Sequence, residues 1–353
     1  MKVEKKMKGP VLVTGATGFI GKRVVKKLLE QEIPVRALVL PGEGVPSEWQ
    51  DRVEIVRGSI SDPKAVEMAV SGAGLRQLPS GSLSEERMKA GTIIHLAAVV
   101  SDWGDEKKFW EFTVEGSRLV FDQAVKNEGR VVLISSIVVY GDRIYKERCH
   151  EEAGFGKTFG PYSRTKKAQE KLAWEYHHQR GMALTVIRPA NVYGPGSGPW
   201  LHDVVNLLRS GSPGLISGGE MNAGLVYVDN VADLILLSGA SEKANGRAYN
   251  ASDGLDVTWR RYFSDIARII GAKSPGSVPR PVALLGAYAC EAIWTLFRIK
   301  TRPPITQEAL NLVGSDNRIP NERARQELSF QPAISYDEGI SHTREYIKQG
   351  NRM

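Results

Sequence analysis

Cysteine is almost missing from this chain: two in 353 residues, Cys149 and Cys290. They stand far apart with no metal-ligand spacing around either, which excludes a disulfide framework and points to a reducing compartment. A strong excess of one charge is missing too. Lys and Arg number 47 against 40 Asp and Glu, a formal +7, and part of that excess sits in the tails, as at Lys2, Lys5, Lys6 and Lys8. This is a weak bias toward anions and no nucleic-acid footprint. The stretch before Pro10 is charged and lacks an apolar run, so no signal peptide is read there and the expected location is the cytoplasm. His177, His178 and His202 have no metal-ligand companions, and no metal is expected.

What is present is organised around Val11 to Gly21, VLVTGATGFIG. A short apolar strand stops at Thr14, and Gly15, Gly18 and Gly21 follow at three-residue spacing as a helical pattern begins at Phe19 and runs on through Val24, Val25, Leu28 and Leu29. A strand, a tight turn and a helix start form the cradle of a pyrophosphate, with free N–H groups and the positive end of the helix dipole facing the anion. Further strands are predicted at 35–40, 53–57, 92–96 and 130–135. Helices are predicted from Pro63, capped by Ser61 or Asp62, and over 107–126. Residues 72–91 read as a surface insertion with a short helix at 84–89. Alternating strands and helices of this length predict an α/β fold, a doubly wound parallel sheet of Rossmann type, with ligands at the carboxyl ends of the strands.

The end of the second strand chooses between the cofactor's ribose 2′-OH and 2′-phosphate. Here it offers Val39 and Leu40, neither acidic nor basic, so NAD and NADP both stay open, with Glu43 and Arg36 as alternative readers. Tyr162 and Lys166 lie four apart in a helical segment, on one face. An unperturbed tyrosine, which ionises at about pH 10, is a poor base at neutral pH, and a nearby ammonium is expected to lower that value. Ser136, at the end of the fifth strand, offers a hydroxyl at the edge where a ligand would lie.

With TGATGFIG, HLAA at 95–98, SSIVVYG at 135–141, YSRTK at 162–166 and RPANVYGPG at 188–196 in order, the chain resembles the extended short-chain dehydrogenase/reductase superfamily, over roughly residues 10–250. The resemblance implies Tyr162 as general acid/base, Lys166 as a ribose ligand that tunes it, and Ser136 as the holder of the substrate oxygen, with hydride passing to or from a nicotinamide. It implies Thr113 in a proton relay, at a place where relatives carry Asn. It implies cofactor contacts at Gly15, Thr17, Gly18, Phe19, Ile20, Gly21, Leu40, Ser59, Ile60, Ala97, Ala98, Tyr162, Lys166, Pro189 and Val192. Ser59 stands where many relatives place Asp. Substrate contacts are implied at Asp102, Trp103, Ser136, Asn191 and Tyr193. The cofactor is NAD or NADP, and a homodimer through the helices near 105–127 and 160–180 is expected.

Branch features follow. Ile137 and Val138 stand where sugar-nucleotide 4,6-dehydratases resemble one another in an Asp-Glu pair, and Ala223 where epimerases usually place a diphosphate-clamping Arg. VYVDNVA at 226–232 and HLAAVVSDWG are similar to 3β-hydroxysteroid dehydrogenases, sterol-4-carboxylate 3-dehydrogenases and reductases of long-chain 2-alkyl-3-oxoalkanoates. The expected substrate is a bulky, apolar small molecule bearing a secondary alcohol or ketone. A nucleotide-sugar epimerase or reductase is the alternative within the superfamily, and a non-catalytic dinucleotide-sensing protein the alternative outside enzymes. Residues 1–190 are expected to bind the dinucleotide, with parts of 223–250 returning to them, and 191–353 to bind substrate. Within the latter, Pro281–Ile299 is long and apolar. It reads as a buried or lid helix, or as a peripheral membrane contact flanked by Arg280, Arg298, Lys300 and Arg302. Helices are also predicted at 258–270, 321–328, capped by Asn321, and 335–349.

Overall fold

A computed structural model describes residue 7, residues 10–72 and residues 89–350. Among these, seven strands form one parallel sheet: β1 (Val11–Thr14), β2 (Val35–Val39), β3 (Val53–Arg57), β4 (Thr92–His95), β5 (Arg130–Ile134), β6 (Leu184–Pro189) and, after three intervening short strands, β10 (Arg247–Ala251). The spatial order is β10-β6-β5-β4-β1-β2-β3. β1 is central, with Val11 paired to Val35 on one side and to Thr92 on the other. Its four residues are all buried, which is why it reads as an unbroken apolar run instead of an alternation.

Helices cover both faces. α1 (Phe19–Glu30) buries Val24, Val25, Leu28 and Leu29, a stripe at i, i+1, i+4, i+5 that faces the sheet. α2 (Pro63–Ser71) is capped by Asp62, whose carboxylate accepts from Lys64 N at 3.0 Å. The helix predicted over 107–126 is interrupted. A short α3 (Glu106–Phe109) passes through a wide π turn, Trp110–Glu115, into α4 (Gly116–Lys126), and Thr113 sits in that turn. Such turns mark functional positions in many helices. After the single turn α5 (Arg143–Lys146) comes α6 (Pro161–Arg180), 20 residues long, which carries Tyr162 and Lys166. The short helix expected at 84–89 falls on residues 84–88, outside those described.

The C-terminal part grows from the carboxyl edge. β7 (Asn191–Tyr193) pairs with β9 (Leu225–Tyr227), and β8 (Leu215–Ile216) with β11 (Ser277–Val278). α7 (Asp203–Ser210) and α9 (Trp259–Ile270) enclose a core of Tyr193, Trp259, Tyr262 and Phe263. α8 (Val228–Ala240) returns to the sheet beside α1, held there by Lys27–Asp233 at 2.7 Å. α10 (Arg280–Leu296), α11 (Gln307–Val313), α12 (Glu322–Leu328) and α13 (Tyr336–Gly350) close the chain. Two expectations are corrected. Asn321 does not cap α12 with its side chain, because its amide donates instead to Ser252 O at 2.6 Å. α10 is not a core helix: it buries only Ala283 and Ala287, while Leu285 and Leu296 are 72% and 75% exposed.

α6 is fastened to the sheet by a buried ion pair. Glu170 on α6 receives Arg188 of β6, with Nη2–Oε1 at 2.6 Å and both side chains 5% exposed or less. Ser135 Oγ and Trp174 Nε1 donate to the same carboxylate, and Arg188 also donates to Tyr140 Oη and Glu151 O. Every charge in this knot therefore has partners, the condition under which buried ions are tolerated. Arg188→Met leaves Glu170 buried without its countercharge and is expected to lower unfolding free energy by about 3–5 kcal/mol in urea titration. Adding Glu170→Leu to that variant is expected to restore most of the loss.

Candidate active site

The turn after β1 is shaped by what glycine lacks. Gly15 has φ +67°, and a Cβ there would lie 3.0 Å from Ala97 N; one at Gly21 would lie 2.1 Å from Gly15 O. Gly18 is exposed and is the N-cap of α1 with no side-chain cap, so the first-turn amides point outward without a side-chain acceptor. This cradle fits a pyrophosphate, since a bulky residue would fill it and an anion is what the free amides lack. Ala97 and Ala98 follow β4 and are partly exposed beside it. Ser59 Oγ takes Ser61 N at 3.2 Å and shapes the turn after β3, while Ile60 is buried and packs where Gly116 leaves room. Leu40 is exposed beyond β2. Arg57, which the sequence does not single out, donates to Leu40 O at 3.3 Å and Glu43 O at 2.5 Å. Arg36 is removed as a cofactor reader: it is buried, pairs with Glu54 at 2.6 Å and donates to Ala69 O.

At the carboxyl edge the structure brings Ser136, Tyr162 and Lys166 together. The Ser136 side chain lies near the Tyr162 phenol and favours its ionised form, while its own hydroxyl accepts from Val138 N at 3.3 Å. Lys166 Nζ donates to Ile134 O at 2.6 Å and also to Gln169 Oε1. The groups that shift the phenol do not include the Lys166 ammonium. Burial pushes Tyr162 up to about 12, with Ser136 opposing and the Glu308 carboxyl adding to the rise. Burial also pulls Lys166 down to about 7. Desolvation disfavours both charged forms.

Behind Lys166 runs a buried polar chain. Gln169 Nε2 donates to Ser117 Oγ at 2.7 Å, Ser117 gives its own proton to Thr113 O, and His95 Nε2 meets Ser117 Oγ at 2.8 Å. Since Ser117 has already used its proton, His95 donates from Nε2 and accepts from Thr14 Oγ1 through Nδ1, at 2.7 Å. Burial and the nearby Lys166 hold that imidazole neutral, down to about 3. The chain thus links the glycine turn to Lys166. Thr113 Oγ1 accepts from Val99 N at 3.2 Å and fixes the loop after β4.

Other expected site residues lie elsewhere. Asp102 is not available to a substrate, because its carboxylate is taken by Arg302, at 2.6 Å to each oxygen, and by Thr306. Tyr193 is fully buried among Tyr227, Tyr262 and Tyr336 and belongs to the C-terminal core. Asn191 is buried and donates to Ala223 O at 2.7 Å. Trp103, Thr17, Phe19, Ile20 and Val192 are partly exposed, and Pro189 ends β6. Sequence reasoning passes over Glu308 of α11, which is buried and meets Ser163 Oγ at 3.0 Å. Its signal is indirect: a glycine, Gly160, stands where a helix start prefers a polar cap.

Among known proteins, a model of the NAD dependent epimerase/dehydratase family matches residues 11–78 and 81–252. A 2-alkyl-3-oxoalkanoate reductase of Stenotrophomonas maltophilia is 24% identical over 342 residues, 94% of this chain and 97% of that one. A 3beta-hydroxysteroid-dehydrogenase/decarboxylase, isoform 2, of Arabidopsis thaliana is 25% identical, over 94% of this chain and 61% of its own length. Among solved structures, the dTDP-glucose 4,6-dehydratase DesIV of Streptomyces venezuelae, with NAD bound, superposes with TM-score 0.74 at 23% identity, covering 97% of this chain and 98% of that one. Gly21→Ala, which drives a methyl into Gly15 O, is expected to weaken NAD(P) binding by about tenfold or more in calorimetric titration while the far-UV circular dichroism is kept.

Proposed function

This chain belongs to the NAD dependent epimerase/dehydratase family and is an NAD(P)-dependent enzyme of the extended short-chain type, and we propose that it interconverts a secondary alcohol and a ketone on a bulky apolar substrate, 3β-hydroxysteroid-like or long-chain 3-oxoacyl. The observation that carries this reading is the Tyr162 phenol near Ser136 and one helical turn from Lys166, whose polar chain through Gln169, Ser117 and His95 reaches Thr14 at the start of the glycine turn. Relatives named as a 2-alkyl-3-oxoalkanoate reductase and a 3β-hydroxysteroid dehydrogenase support the substrate class. Ile137 and Val138 are buried and apolar where dehydration would need acids. Ala223 is fully buried, its N–H on Val257 O, where a diphosphate would need a cation.

Bound NAD(P) supplies or accepts the hydride. Lys166, Ala97, Ala98 and the glycine turn would hold the cofactor. Ser136 donates to the substrate oxygen. Tyr162, pushed up to about 12, is a phenol at neutral pH and gives its proton to the forming alkoxide, which suits ketone reduction. Tyr162→Phe is expected to lower kcat for reduction of a 2-alkyl-3-oxoalkanoate or a 3-ketosteroid by about 10²–10⁴-fold, with NAD(P)H affinity kept. Full turnover in that variant overturns the reading.

The α10 face completes the proposal. Val282, Leu285, Tyr288, Ile293 and Leu296 are exposed on the helix, Phe297 extends it, and Arg298 and Lys300 follow. No described helix is long and apolar enough to cross a membrane. An uncharged face ending in basic residues instead suits lying on an anionic bilayer, where an apolar substrate would be found. The protein is expected to sediment with phosphatidylglycerol vesicles and less with phosphatidylcholine, and Leu285→Asp/Leu296→Asp to stay in the supernatant. Equal sedimentation of that double variant rules the face out.

A further inference from the structure

α6 begins at a glycine whose backbone does not require one. Gly160 has φ −114° and ψ 175°, open to any residue. Its lack of a side chain is spatial: a Cβ there would lie 1.9 Å from Glu308 Oε2 and 2.9 Å from Glu308 Cδ. The carboxyl of Glu308 therefore stands where the side chain of an N-cap residue would stand. It arrives from α11, 145 residues after Ser163 in the chain, and takes the proton donors a cap takes: Ser163 N at 3.4 Å and Ser163 Oγ at 3.0 Å. Ser163 Oγ in turn accepts from Phe159 N and Gly160 N, both at 3.2 Å. With both lone pairs so used, its one hydroxyl proton is shared between Glu308 Oε2 at 3.0 Å and Gly160 O at 3.2 Å.

We propose that Glu308 is a positioning residue for Tyr162: it fills from α11 the cap place that Gly160 leaves open on α6, and so sets a buried carboxyl at the first turn that carries Tyr162, through which the C-terminal region acts on that residue. This rests on the reading of Tyr162 as the proton-transfer group. The placement is held from outside the helix. Thr306 caps α11 through Ala309 N at 3.1 Å and also donates to Asp102, which Arg302 clamps. Glu291 of α10 receives Gln307 N at 2.7 Å, and Asn311 donates to Gly141 O at 2.9 Å. Glu308 meets Ser163, which lowers its proton affinity, and is acted on from further away by Asp102, which raises it, and Arg164, which lowers it. The groups facing the phenol are Ser136 and Glu308.

Burial pushes Glu308 up to about 8. Below that value the carboxyl is neutral and caps by hydrogen bonding alone. Above it, the new negative charge opposes a second one on Tyr162, so the phenol keeps its proton as the solution turns basic. Loss of the charge should therefore lower the pH at which Tyr162 ionises, whereas loss of the cap should loosen the start of α6.

The full-length protein, labelled with tyrosine carrying ¹³C at Cζ and saturated with NAD, tests this without a substrate, the Tyr162 signal being assigned by its loss in Tyr162→Phe. Glu308→Gln, close to isosteric, is expected to move the Tyr162 midpoint down by roughly half a unit or more with little change in melting temperature. Glu308→Ala is expected to move it likewise and to melt lower. Gly160→Ala, which expels the carboxyl without altering it, is expected to shift Tyr162 in the same direction. Equal midpoints in the wild type and Glu308→Gln, or a signal still protonated at the top of the pH range in both, overturn the proposal. A retained reductase activity that depends on Tyr162 would then show that the function reading survives alone.

Discussion

Glu170 and Arg188 meet in the interior, and much of the site follows from where that contact places α6. The carboxylate lies one turn beyond Lys166, so docking it on β6 sets the height and rotation of the whole helix against the carboxyl edge of the sheet. Tyr162 then falls beside Ser136, which closes β5. A buried ion pair is a poor source of stability compared with apolar packing, but it has steep geometric demands. Ser135 and Tyr140 meet those demands from the segment after β5, and Trp174 from the next turn of α6 itself. The pair is best understood as a register device for the helix that carries Tyr162 and Lys166.

Dryness is the second constraint. Tyr162, Lys166, Glu308 and His95 are all drawn toward their neutral forms by burial. The site holds polar groups in a place that resists charge, and hydrogen bonds fill the gap: His95, Ser117 and Gln169 carry a continuous polar path from Thr14 to Lys166. Such groups act at low electrostatic cost when a charged cofactor arrives, because their dipoles are already set.

How much of this the sequence carried depended on whether the information was local. The glycine spacing, the parallel strands and the i, i+4 placement of Tyr162 and Lys166 are written within a few residues of one another, and they reappear in the structure as read. The π turn at Thr113 is not legible, since its residues have an ordinary helical pattern. Tyr193 and Asp102 read as site residues because they stand beside motifs. Their partners, Tyr262, Tyr336 and Arg302, come from far along the chain and withdraw them from any ligand. The apolar stretch at 281–299 reads from composition as a buried or lid helix or a membrane contact, and only the fold reveals that Ala283 and Ala287 are buried while its larger side chains are exposed.

The sequence by itself determined the sheet, the anion cradle and the shared helix face of Tyr162 and Lys166, because each depends on backbone sterics and side-chain periods that act over one turn or one strand. Only the tertiary structure decided the protonation states of those groups and the company they keep. Desolvation and long-range charge depend on what packs around an atom, and for Tyr162 that includes a carboxyl delivered from α11, 146 positions further along the chain.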